Sequence, residues 1–145
     1  MAQTPLQHTM ELARNYLRDF PKFFQVSFDA IGRTYELGQT NIDPDNVWIA
    51  TTVGASATEL TTSQYHLDNR NGILRLTSTP ASGTKILIEG YYYEWVLPAD
   101  LQFYSERSIN FHMPTIRIPL EQASAAVLDV VGLGALVEAL QALMT

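Results

Sequence analysis

Two periods of apolar residues divide this chain, and the switch between them happens twice. At the amino end, Leu6, Met10, Ala13, Leu17 and Phe20 follow at steps of four, three, four and three, while Glu11, Arg14 and Arg18 take other faces. That is one helical stripe. Thr4-Pro5-Leu6-Gln7 supplies a capping residue, a proline at the first helical position and a glutamine three residues after the cap. The pattern predicts a helix over residues 4–20, ended by Pro21, which cannot continue it.

From Phe24 the period becomes two, which predicts a β-domain over residues 24–96. Phe24, Val26 and Phe28 alternate with polar partners, and short runs follow at 34–37, 47–52, 65–67 and 73–76. Asp43-Pro44-Asp45-Asn46 reads as a turn before the third run. Asn71-Gly72, set between alternating runs, predicts a hairpin, because both residues tolerate positive φ. In the last run, Ile86, Ile88 and Tyr92 share one face, and Leu87, Tyr91, Tyr93 and Trp95 share the other. Apolar residues on both faces predict a central strand. Six or so short strands at this spacing describe a small antiparallel β-sandwich or barrel.

Beyond Pro98 the helical period returns. Leu101, Tyr104, Ser108 and Phe111 form a stripe over a helix at 99–112, and Pro119 can open a last helix over 119–144. The expected fold class is therefore α+β: an amino-terminal helix, a small antiparallel sandwich or barrel, then carboxy-terminal helices. All 145 residues read as one domain. The last helix is unusual. Between Ala123 and Met144 the polar side chains are Ser124, Asp129, Glu138 and Gln141 alone. A helix apolar nearly all round either spans a membrane or is covered by partners. Nine Leu and Val gain about 0.3–0.6 kcal/mol each on insertion, but a central acid costs about 2.5–3.5 kcal/mol. Two acids, two glycines and a glutamine cancel the gain. Burial against the other helices and a neighbouring subunit is expected instead, with Gly132 and Gly134 permitting close approach or a kink.

Composition narrows the function classes. Apolar residues make up 46% and charged residues only 17%, so the chain can fill a core and carries a sparsely charged surface that suits coverage by another subunit. A net charge of −6 argues against a nucleic-acid-coating protein. Cysteine is absent, which removes thiol chemistry and Cys-based zinc sites, and the polar start of the chain predicts no signal peptide. His8, His66 and His112 lack metal-ligand spacing, and no Gly-x-Ser-x-Gly elbow or phosphate-binding loop occurs. Asp43-Pro44-Asp45 begins like a calcium loop but has Trp48 where the EF-hand requires Gly. No catalytic, cofactor or metal site is expected. Trp48 and the run Tyr91-Tyr92-Tyr93 could stack sugars, but no polar cluster accompanies them at readable spacing.

The order of Asn15-Tyr16-Leu17-Arg18-Asp19-Phe20-Pro21-Lys22-Phe23-Phe24, the Ile-Asp-Pro-Asp turn, Tyr65-His66-Leu67-Asp68-Asn69-Arg70-Asn71-Gly72-Ile73-Leu74, and Gly90-Tyr91-Tyr92-Tyr93-Glu94-Trp95 before Asp100-Leu101-Gln102-Phe103 resembles the head-to-tail connector (adaptor) proteins of tailed phages that infect actinobacteria. The resemblance runs from about Met10 to Leu143 and rests on turn and core patterns. It implies a structural virion protein of the phage neck, assembled in the host cytoplasm. Copies would form a homo-oligomeric, twelve-fold ring with the portal protein above and a head–tail stopper or tail protein below. DNA would pass through the channel without sequence-specific binding, and neither membrane nor cofactor would be involved. Such adaptors carry a further helical tail where this sequence reaches Thr145. From residue 119 onward, Glu121, Asp129 and Glu138 meet no Lys or Arg, a net of −3, so these three acids are the candidate lumen or subunit-contact residues. A negative wall would let DNA slide rather than stick; the alternative is that these acids are ordinary solvated positions on an otherwise buried helix. The competing reading is a glycan-binding β-sandwich module of a phage tail or baseplate.

Overall fold

The computed structural model describes residues 3–112 and 125–143, and these form two compact units. The element order is α1 (Pro5–Leu17), β1 (Lys22–Asp29), β2 (Thr34–Glu36), β3 (Ile42–Val53), β4 (Ser56–Glu59), β5 (Tyr65–Asp68), β6 (Ile73–Leu76), β7 (Lys85–Tyr92), α2 (Pro98–His112) and α3 (Ala125–Leu143). The layout is α+β, with two antiparallel sheets that do not close into a barrel.

The β unit is Pro21–Glu94. Its larger sheet has the order β1-β7-β3-β4 and its smaller one β2-β6-β5. The two are held together by one core, to which β1, β3 and β7 contribute Phe24, Ile42, Ile49, Ile86 and Ile88, and β2 and β6 contribute Tyr35, Leu74 and Leu76. Burying each such side chain contributes about 1.5–3 kcal/mol. The last strand is central, as its two apolar faces require, lying between β1 and β3. The hairpin at Asn71-Gly72 joins β5 to β6, with Asp68 opposite Ile73. Its loop is four residues long, and of the pair only Gly72 takes a positive φ, at 69°. A Cβ there would collide with the carbonyl of Gln39. Gly72 is therefore required twice over, by backbone conformation and by space.

Two features of this unit depart from the sequence pattern. The Asp43-Pro44-Asp45-Asn46 segment is an irregularity inside β3, where the register with β7 shifts between Ile42 and Val47. Asp43 stabilises it by accepting from the Asp45 amide at 3.0 Å and the Asn46 side-chain amide at 2.8 Å. β4 was not expected at all. It is an edge strand with every residue exposed, so it carries no apolar alternation to read.

The helical unit joins residues 1–20 to 95–145. Thr4 caps α1 as expected: its hydroxyl accepts from the Gln7 amide at 3.2 Å, and the Gln7 side chain accepts from the Thr4 amide at 3.0 Å. α1 ends at Leu17, earlier than residue 20, because Arg18 turns left-handed at φ 53°. The reason is Asp19. Its buried carboxylate accepts from the amides of Trp95 at 3.0 Å and Val96 at 2.8 Å, and from Arg14 Nη1 at 3.1 Å. The chain leaves the helix to place that group, and Phe20 is left exposed rather than on the stripe. In α2 the buried positions are Leu101, Ser105 and Ser108. Phe111, expected on the buried stripe, is 79% exposed, because the inward face runs through 101, 105 and 108 instead.

α1 and α2 both pack on α3. Gly132 faces Leu12 of α1, and Gly134 faces Ser108 and His112 of α2, so both glycines serve close helix approach within an unbroken helix. The first residues of the helix expected over 119–144, and Glu121 with them, lie outside the described residues. Among the described residues, no helix is long and apolar enough to cross a membrane.

Candidate functional site

Two surfaces stand out, one on each unit. The first is the outer side of α3. Its buried positions are small or β-branched: Val131, Ala135 and Ala139. Leu136 packs against the same core, but four other aliphatic residues point the other way. Val130 (54% exposed), Leu133, Val137 (52%) and Leu140 follow at steps of three, four and three. At 100° per residue they fall within an arc of about 80°. Val and Leu alternating at this spacing form the seam of a helix that packs against another helix. On α2, Phe103 and Phe111 are exposed as well.

The candidate acids flank this stripe. Asp129 Oδ1 lies 2.9 Å from His8 Nε2, a contact between α3 and α1 that is an ion pair when the histidine is protonated. Glu138 Oε1 lies 3.6 Å from Arg107 Nη2, and Arg107 in turn sits over the ring of Phe103. Both acids thus have a side-chain partner within the helical unit, and the charge counted from residue 119 onward is partly offset by Arg107 of α2. The linear count missed this because His8 and Arg107 lie far away in sequence.

The second surface is the outer face of the four-stranded sheet. Antiparallel register sets Phe23 opposite Tyr91, Gln25 opposite Glu89, and Trp48 opposite Glu89 from the other side. Phe23 is 58% exposed and Tyr91 43%, with ring centroids 5.8 Å apart and planes inclined by 68°. Gln25 Nε2 donates to Glu89 Oε1 at 2.7 Å. Phe23, Trp48, Glu89 and Tyr91, with Asn46, Val47 and Gly90, line a shallow hollow of about 320 Å³. Sequence reasoning singled out Trp48 and Tyr91 but missed Phe23, Gln25 and Glu89, since only the pairing of β1, β7 and β3 brings them together.

Compared with known proteins, the chain matches no family model and no curated protein. Function is therefore argued from these surfaces.

The histidines stay apart. His66 is exposed on β5, while His112 Nδ1 lies 2.8 Å from the Ser108 carbonyl of its own helix. Among the described residues, no cluster of three His, Cys, Asp or Glu could hold a metal ion. The Asp43 carboxylate is turned to local work, tying down the β3 irregularity.

Proposed function

We infer that the chain is a structural subunit of a tailed-phage neck, acting by assembly rather than catalysis. Copies form a ring between the portal protein and the head–tail stopper or tail protein, and the ring extends the DNA channel. The resemblance to adaptor proteins suggests the place, and one observation on the molecule carries the argument for assembly: the uncovered Val130, Leu133, Val137, Leu140 stripe of α3. A helix that turns four of its large aliphatic residues outward leaves apolar surface for a neighbour to cover. Low surface charge supports the same reading.

Electron microscopy of the purified chain, alone and mixed with portal rings, tests the proposal. Ring-shaped particles, or density added to one end of the portal, are expected. A chain that stays monomeric and leaves portal rings unchanged contradicts it. The second reading, a glycan-binding module of a tail or baseplate, draws on the exposed rings of Phe23 and Tyr91 and the half-buried Trp48. A monomer that is retained on a glycan column would favour it.

A further inference from the structure

We propose that the hollow among Phe23, Trp48, Glu89 and Tyr91 binds a quaternary ammonium group such as that of choline. The inference is independent of the ring reading, because it concerns only the β unit.

Three observations converge on a cation with an apolar rim. The first is ring geometry. Phe23 and Tyr91 meet at 68°, so their faces make two walls of a corner, and Trp48 stands on the neighbouring strand beyond Glu89. A sugar stacks best on a flat ring face, whereas rings set at steep angles enclose a compact group and direct their negative faces toward it. The second is charge. Glu89 lies on β7 between Gln25 and Trp48, two residues from Tyr91 on the same side of the strand. The nearest cation along that strand, Lys85, is four residues away, about 13 Å in extended chain. Lys22, at the start of β1, is engaged with Glu94 at 2.8 Å. The hollow therefore combines one carboxylate with the aromatic side chains of Phe23, Tyr91 and Trp48, complementary to positive charge.

The third observation is hydrogen bonding. The Gln25 side-chain amide already donates to Glu89. That bond fixes the Glu89 carboxylate against the sheet. A quaternary ammonium needs no acceptor or donor at all. It gains from ring faces and from a nearby negative charge, both of which the hollow supplies.

The test is an NMR titration of the full chain with choline chloride, following backbone amides. Saturable shifts confined to residues 23–25, 46–48 and 89–91, in the millimolar range, are expected. The neutral isostere 3,3-dimethylbutan-1-ol should bind about tenfold more weakly, since it keeps the shape and loses the charge. Glu89→Gln, which preserves shape and folding, should weaken choline binding by a similar factor, and so should Phe23→Ala. Equal binding of choline and its neutral isostere overturns the proposal. So does saturation of the same residues by N-acetylglucosamine or cellobiose with no response to choline, which would make the hollow a sugar site. Absence of any saturable shift with choline overturns it too.

Discussion

The two units fill their cores with side chains of different size, and the helical unit leaves an aliphatic row uncovered. In the β unit the large side chains are inside: Ile42, Ile49, Leu74, Ile86 and Ile88 are almost wholly enclosed between the two sheets. In the helical unit the enclosed residues include Ala13, Ala135 and Ala139 together with Val96, Leu97, Leu101 and Val131, while Val130, Leu133, Val137 and Leu140 of α3 stay outside. Small residues let helices approach closely but remove little surface from water. Both units hold an enclosed core, but the helical unit in addition keeps a row of four aliphatic residues on an open face of α3. This difference, more than any motif, points to assembly through α3.

The comparison yields predictions of graded size. The largest effect belongs to the buried latch of the helical unit. Asp19→Ala removes a carboxylate that accepts from Arg14 and from two backbone amides, and should cost about 3–5 kcal/mol in chemical denaturation. If it cost under 1 kcal/mol, the helical unit would not depend on that latch. Next, Ile88→Ala in the β core should lose about 2–5 kcal/mol, as a fully enclosed residue between two sheets does. Gly132→Val should cost about 1–3 kcal/mol, because the added methyls meet Leu12 of α1. A stabilising result there would mean that α1 and α3 pack less closely than described.

The smallest effect is acid titration of the β5–β6 hairpin. The Asn71 side chain, and then its backbone amide, donate to Asp68 and hold its carboxyl below the usual aspartate range. A depressed native pKa stabilises the fold above the unfolded value, and that contribution is lost as pH falls through the native one. The Asn71 amide resonance should therefore move only in strongly acidic solution, and Asp68→Ala should abolish the transition.

Much of this fold was legible in the sequence, for local reasons. The Thr4 cap, the Asn71-Gly72 hairpin and the central β7 each follow from residues within one short window, and windows are what periodicity reads. What escaped depends on distant partners. α1 stops early because Asp19 is needed by Trp95 and Val96, more than seventy residues on. β4 has no apolar signature since nothing covers it. The apolar excess of the last helix was plain, but which side faced outward was not, because Gly132 and Gly134 reveal their role only once Leu12 and Ser108 are seen against them. The aromatic hollow needed strand register, which joins Phe23, Trp48 and Tyr91 across most of the β unit.

The central claim is that the α3 stripe is an assembly surface and not part of the folded core. Sedimentation velocity on the wild-type chain and on a Leu133→Ser, Val137→Ser double variant tests it most directly. Both residues are exposed, so the variant should keep its unfolding free energy to within about 1 kcal/mol. The account predicts that the wild type sediments as an oligomer and the variant as a folded monomer. A wild type that is monomeric at every concentration, or a variant that assembles as the wild type does, would contradict it.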